Sequence, residues 1–248
     1  MITCRYHFEE IDSTNKKAKE LGQKDCPHGT LVTADTQVSG IGRRGRSWSS
    51  EKDTGIYMSM VLRPEIETDK AAMLTVVAAM AVEKALLELE ADVKIKWPND
   101  IVLNQKKICG ILTEVSLKGA EIDFVVLGIG INVNNKEFPE EIKETASSLS
   151  LELGQVFDRE MLITKVWKQF DVYYELFLQT KDLSLLKEEY ESVLANKNEK
   201  VKVLDPQGEY VGIAAGITNT GELIVDTEGE QKLVSGGEVS VRGIYGYV

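Results

Sequence analysis

Apolar positions along the chain change their period several times, and each change marks an element. Ser13 is placed to cap a short helix that stops at Gly22, and Thr30 to Thr36 reads as a strand. Ile56, Met58, Met60 and Leu62 alternate with smaller or polar neighbours, as in a half-buried strand ended by Pro64. From Thr68 to about Glu90 the spacing becomes helical, with Met73, Val76, Val77, Met80 and Leu87 on one face. Val93 to Trp97 reads as a strand, and Ile101 to Leu103, NQKK and Ile108 to Leu117 read as a hairpin. After the turn KGAE, Ile122 to Val133 is a strongly apolar strand. Asp158 is set to cap a helix on which Leu162, Val166, Phe170, Tyr173 and Phe177 recur at helical spacing, and a second helix covers about Leu183 to Ala195.

Strands in runs, with helices segregated between them, predict an α+β fold in which helices cover a mixed or antiparallel sheet. The texture changes near residue 197. From Val201 onward there are only short strands, VKVLD, EYVGIAAGI, ELIVD, QKLVS and EVSVR, divided by PQG, NTG, EGE and SGG turns. That pattern predicts a small β-barrel or sandwich. The expected division is therefore a larger domain, 1–196, and a C-terminal β-domain, 197–248.

Composition narrows the function. The 248 residues carry 29 Lys and Arg against 40 Asp and Glu, a formal charge of -11 at pH 7. That is the wrong sign for a protein that coats a phosphate backbone, so no DNA partner is expected. With 43% hydrophobic and 28% charged residues, and no apolar run near the roughly 18 residues that span a bilayer, the chain reads as soluble and globular with no membrane partner. Its first residues, MITCRYHFEE, contain charges and no secretory h-region. Cys4, Cys26 and Cys109 form neither a disulfide framework nor a metal clip, which fits a reducing cytoplasm. With only His7 and His28, a Ser-His-Asp centre and a His-rich zinc site are poorly supplied.

Three segments carry candidate chemistry. In Gly40-Ile41-Gly42-Arg43-Arg44-Gly45-Arg46-Ser47-Trp48, three arginines reverse the sign of an acidic chain. Glycines let backbone N–H groups crowd toward an anion, arginine forks grip phosphate or carboxylate, and Trp48 can close over a planar ligand. Taken alone, the cluster fits a solvated basic turn as well as a ligand loop, and its spacing is neither a P-loop nor a dinucleotide fingerprint. In Lys96-Trp97-Pro98-Asn99-Asp100, proline stops the strand where Asn99 and Asp100 can turn into a cleft. Lys107 follows at the start of an apolar strand whose Gly110 admits close approach. In Gly128-Ile129-Gly130-Ile131-Asn132, alternating glycines mark either a barrel bend or a face kept bare, and Asn132 offers an amide suited to a base edge.

GxGRRGRSW, KWPND, the Lys107-Ile108-Cys109-Gly110 segment and GIGIN stand in the order and approximate spacing of biotin–protein ligases, and the chain resembles that family over almost its whole length. The resemblance implies a class II synthetase-like ligase core with a small SH3-like β-barrel. It also implies a two-step reaction with biotin, ATP and Mg²⁺, the ion carried on the ATP phosphates. Biotin and ATP give biotinyl-5′-adenylate and pyrophosphate, and the biotinyl group then passes to one lysine of biotin carboxyl carrier protein, as in acetyl-CoA carboxylase.

By the same resemblance, Ser13, Thr14, Asn15 and Gln37 surround the biotin ureido ring, and Ile41, Gly42 and Arg43 contact the ligand. Arg46 and Trp48 complete a loop over the adenylate, with Arg44, Lys96 and Asn99 beside the nucleotide. Lys107 bridges biotin carboxyl and α-phosphate, Gly110 meets the ring by its backbone, Asn132 reads adenine and Asp100 faces the acceptor lysine. A carboxylate attacking a triphosphate requires such positive charge where negative charge develops. Relatives commonly carry arginine where this chain has Ile41, which predicts a less tightly held ATP or adenylate. Many also carry an N-terminal winged helix-turn-helix, and because this chain opens at the ligase core no repressor role is expected. Lipoate–protein ligase is the nearest alternative. A nucleic-acid module using RRGR and a non-catalytic biotin or nucleotide sensor are further ones. A homodimer through sheet edges is an assembly the resemblance allows.

Overall fold

Short polar turns between strongly apolar runs bring seven strands into one sheet. The computed structural model describes residues 2–205, 208–237, 239–243 and 247. The strands are β1 (Cys4–Ile11), β2 (Thr30–Gln37), β3 (Ile56–Leu62), β4 (Lys94–Lys96), β5 (Asp100–Leu103), β6 (Lys106–Lys118) and β7 (Glu121–Ile131), in the order β1-β2-β3-β7-β6-β5-β4. Among the described strands of this sheet, β1 and β2 pair in parallel, with α1 (Thr14–Gly22) as their crossover, and the other neighbours are antiparallel. β1 is an edge strand with five exposed residues, which is why its apolar pattern did not mark it.

β3 departs from the half-buried expectation, since all seven of its residues are buried. It is a central strand, paired on both edges by β2 and β7, and its two faces are covered by the main core and by α1. Ile56, Met58, Met60 and Leu62 enter the main core, and Val61 packs beneath α1 with Ala18 and Phe124. The helix predicted from Thr68 begins as a 3₁₀ segment, Thr68–Met73, and becomes α2 (Leu74–Leu87). It has no single apolar face: residues on every side are buried between the sheet and a later helix, α4 (Arg159–Thr180), while Leu87, placed by its spacing on the apolar face, is 46% exposed at the end.

α3 (Leu149–Leu153) was not anticipated; α4 (Arg159–Thr180) was. Asp158 accepts from the Glu160 and Met161 N–H groups at 2.9 and 3.1 Å, and Leu162, Val166, Phe170, Tyr173 and Phe177 are all buried. The helix expected to end near Ala195 is only α5 (Lys187–Ser192), because residues 193–195 straighten to run beside β4.

All five C-terminal runs are strands: β8 (Lys200–Leu204), β9 (Tyr210–Ile217), β10 (Leu223–Asp226), β11 (Gln231–Val234) and β12 (Ser240–Gly243). They form a separate antiparallel sheet, ordered β11-β10-β9-β8-β12. Its inner residues Val201, Val203, Ala214, Leu223 and Val225 join the same apolar cluster as Trp97 and Leu194, so one continuous core underlies both sheets. Trp97 Nε1 donates to the Gly221 carbonyl at 3.0 Å and the Ile217 N–H donates to Glu191 at 3.0 Å. These bonds seat the smaller sheet beside KWPND.

Candidate active site

The floor of the cleft is a patch of bare backbone. Gly110 on β6 pairs with Gly130 on β7, and Gly130 pairs with Tyr57 on β3; in the next row Leu112, Gly128 and Ser59 are in register. The missing side chains are needed. A β-carbon at Gly130 or Gly110 would lie 2.6 or 2.8 Å from the Trp48 indole, and one at Gly128 would lie 2.0 Å from Asn15 Oδ1. The alternating glycines therefore keep a face bare, rather than bend a barrel.

One end of the cleft is neutral and rich in hydrogen-bonding groups. Ser13, Thr14 and Asn15 enter it at the start of α1, where the Thr14 N–H donates to Gln37 Oε1 at 2.8 Å, so Gln37 rather than the Ser13 side chain satisfies the helix terminus. Ser59, wholly buried, bonds both Thr14 Oγ1 and Asn15 Oδ1, and Asn15 Nδ2 donates to Glu114 at 2.9 Å. Ser59 and Glu114 were not anticipated, because nothing in their spacing separates them from ordinary strand residues.

The Gly- and Arg-rich segment closes as a miniature hairpin. The Trp48 N–H donates to Gly40 O at 2.9 Å and the Gly42 N–H to Arg46 O at 2.7 Å, with Arg44 and Gly45 at its tip, both at positive φ (59° and 71°). Such a tip suits glycine and strains arginine. Arg43 then reaches three partners. It donates to Asn99 Oδ1 at 2.7 Å, to Gly237 O at 3.0 Å and to Gly236 O, so one guanidinium joins the loop, KWPND and the turn that follows β11. Burial lowers its pKa, which Asp100 partly offsets.

A bulge sets Lys107. β5 and β6 pair Ile101 with Cys109 but Val102 with Lys107, so β6 carries one extra residue. Residues three apart on a regular strand face opposite sides, and the bulge brings Lys107 onto the same face as Gly110, whose β-carbon position is 3.1 Å from Lys107 Nζ. Lys107 Nζ sits 2.7 Å from Asp100 Oδ1, off the hydrogen-bonding direction, and 5.3 Å from the Trp48 ring. Lys96 is buried, and desolvation lowers its pKa to about 8 against the opposing pull of Asp100. Asn132 Nδ2 donates to Ser147 O at 3.0 Å, leaving its second N–H and its oxygen.

Every predicted site residue lines one of two adjoining cavities. Ser13, Thr14, Asn15, Gln37, Ile41 and Gly110 line the smaller cavity, of about 50 Å³. Arg44, Arg46, Lys96, Asp100 and Asn132 line the larger one, of about 590 Å³, and Gly42, Arg43, Trp48, Asn99 and Lys107 belong to both. The larger one also receives Arg242 and Tyr247 from the C-terminal part, which sequence reading took only as the end of the last strand and its tail.

Residues 7–132 match the Biotin/lipoate A/B protein ligase family, and residues 198–242 match the Biotin protein ligase C terminal domain. The chain belongs to the biotin/lipoate A/B protein ligase family. Within that family it is 38% identical to the bifunctional ligase/repressor BirA of Bacillus subtilis over 93% of this chain and 71% of that protein. It is 31% identical to the biotin–[acetyl-CoA-carboxylase] ligase of Mycobacterium tuberculosis over 85% of this chain and 78% of that protein. The biotin protein ligase of Aquifex aeolicus, solved in complex with biotin and ATP, superposes with a TM-score of 0.86 at 34% identity, covering 97% of this chain and 99% of that one. The first family match contains every site residue expected from the sequence, from Ser13 to Asn132, whereas Arg242 falls at the end of the second and Tyr247 beyond it. Among the described residues, no helix is long and apolar enough to cross a membrane.

Proposed function

We propose that this protein is an ATP-dependent biotin–protein ligase that biotinylates one lysine of biotin carboxyl carrier protein in the cytoplasm. The observation that carries the reading is the joining of two unlike cavities at Arg43 and Lys107: a smaller one whose far end is neutral and rich in hydrogen-bonding groups, suited to a small polar ring, and a larger, mainly cationic one for a nucleotide. In the first step a biotin carboxylate oxygen attacks the α-phosphorus of ATP and pyrophosphate leaves. Lys107 lies at the junction where carboxylate and phosphate meet and stabilises the charge that gathers there, with Arg43 beside it. ATP enters as its magnesium complex, and Arg44, Arg46, Lys96 and Arg242 surround the larger cavity where its phosphates and ribose are held.

At the neutral end of the smaller cavity, Ser13, Thr14, Asn15 and Gln37 supply hydroxyl and amide partners to the ureido ring, whose polar atoms are costly to bury unpaired. Asn132 takes the adenine edge. In the second step the acceptor amine attacks the acyl carbon, AMP leaves, and Asp100 orients the amine or takes its proton. Trp48 closes over the mixed anhydride and keeps water from it. This reading divides the chain into a ligase domain, 1–196, and a C-terminal domain, 197–248, the latter docking nucleotide or carrier. A homodimer through sheet edges is the assembly this reading favours.

The test incubates the protein with biotin, Mg·ATP and a carrier domain, beside Lys107→Ala, and detects biotin on the carrier with avidin. Biotinylated carrier is expected from the unmodified chain and is lost with Lys107→Ala. No transfer at saturation sinks the ligase reading, and replacement of biotin by lipoate would make the protein a lipoate ligase.

A further inference from the structure

Tyr247 reaches from the C-terminal end of the chain into the ligase site, where it meets two KWPND side chains at once. Its hydroxyl donates to Asp100 Oδ2, and Lys96 Nζ lies 3.4 Å from its ring centroid. Burial, and then the neighbouring Asp100 carboxylate, push the phenol pKa well up, so the group keeps its proton and stays a donor. The two oxygens of Asp100 thus have different surroundings. Oδ2 is held by the phenol, whereas Oδ1 is buried without an aligned donor, with Lys107 Nζ 2.7 Å away but off axis.

We propose that Tyr247 is a positioning residue for acyl transfer: it holds Asp100 by Oδ2, so that Oδ1 stays open for the amine of the acceptor lysine. This rests on the ligase reading. In that step the amine nitrogen bonds to the acyl carbon, the bond from acyl carbon to phosphate oxygen breaks, AMP leaves with its electron pair, and the amine proton passes to Oδ1. Lys107 is drawn to the acyl and phosphate oxygens once they are present, which vacates Oδ1. The cation over the Tyr247 ring holds the phenol at the correct depth and keeps Lys96 from competing for the same carboxylate. Without the phenol O–H, Asp100 rotates freely about its terminal torsion and presents either oxygen.

The decisive experiment supplies the full chain with ready-made biotinyl-adenylate and carrier and follows single-turnover transfer, while adenylate formation from biotin and ATP is timed separately. Tyr247→Phe keeps the ring over Lys96 and removes only the hydroxyl. Transfer is expected to slow about tenfold, the effect of one lost hydrogen bond to a charged group. The carrier KM should change less than the rate constant, and adenylate formation should slow at least fivefold less than transfer. In an Asp100→Asn background, Tyr247→Phe should have no further effect, because the residue acts through Asp100. Equal losses in both half-reactions, an additive loss on Asp100→Asn, or no loss in transfer would each overturn the proposal. Because the adenylate is provided, failure to make it from biotin and ATP counts against the ligase reading and leaves the transfer comparison standing.

Discussion

Asn15 fills the space that a side chain at position 128 would need, and a β-carbon built on Gly128 falls 2.0 Å from Asn15 Oδ1. Asn15 has little room to yield, because Ser59 and Glu114 hold the two ends of its amide. Gly128→Ala should therefore cost about 1–3 kcal/mol through overpacking. At roughly 2–4 °C per kcal/mol for a chain of this size, the melting temperature should fall by several degrees. The displaced amide should also weaken biotin by at least about tenfold, through the hydrogen bonds it misaligns. Calorimetric titration with biotin beside a thermal melt checks both, and unchanged biotin affinity would remove Asn15 from the binding site.

Arg43 invites a different substitution. Its planar fork reaches Asn99 and the carbonyls of Gly236 and Gly237 together, which a single ammonium does not span. Arg43→Lys keeps the charge yet detaches the loop from the turn that follows β11 on one side. Adenylate held by the enzyme should escape about tenfold faster, on the scale of a lost charge-assisted bond. A chase with unlabelled biotin measures this, and an unchanged lifetime would show that charge alone matters at this position.

How much of this was visible beforehand depends on whether a feature is local. The Asp158 cap and the apolar face of α4 depend on residues a few positions apart, and both were legible in the chain. So were the five C-terminal strands, each bounded by its own turn residues. β1 was not, because an exposed edge strand has no buried alternation, and α2 was misread as one-faced because two layers cover it. In the site, the arginine loop, KWPND and Lys107 announce themselves by composition. Ser59, Glu114, Arg242 and Tyr247 look ordinary in sequence and acquire a role only through register and through contacts across more than forty residues.

Lys96 should leave a signature in the pH profile. Burial brings its pKa to about 8, so the free enzyme carries this positive charge below pH 8 and loses it as pH rises through that value. The kcat/KM for ATP, which reports groups in the free enzyme, should decline above about pH 8. Lys96→Arg keeps its charge throughout this range and should abolish that step. A profile that stays flat from pH 7 to 9.5 in the unmodified protein would place Lys96 away from the phosphates.

Ile41 is the remaining position with a clear expectation, since the resemblance puts a basic residue there. Its backbone pairs with Ser47 across the miniature hairpin, so the side chain's direction is set by the loop and not by its own apolar character. It is 39% exposed and lines the smaller cavity, where an isoleucine adds no donor for an anion. Arginine at this place would keep the backbone pairing, extend along the cavity mouth and add a charge-assisted contact to the adenylate phosphate. Partial exposure weakens such a contact, so Ile41→Arg should slow adenylate escape and lower the apparent ATP requirement by about threefold to tenfold, below the full value of a buried charged bond. The same adenylate chase and an ATP titration decide it: if neither quantity moves, the loop holds its ligand through Arg43 and the main chain, and the missing charge at position 41 has no bearing on retention.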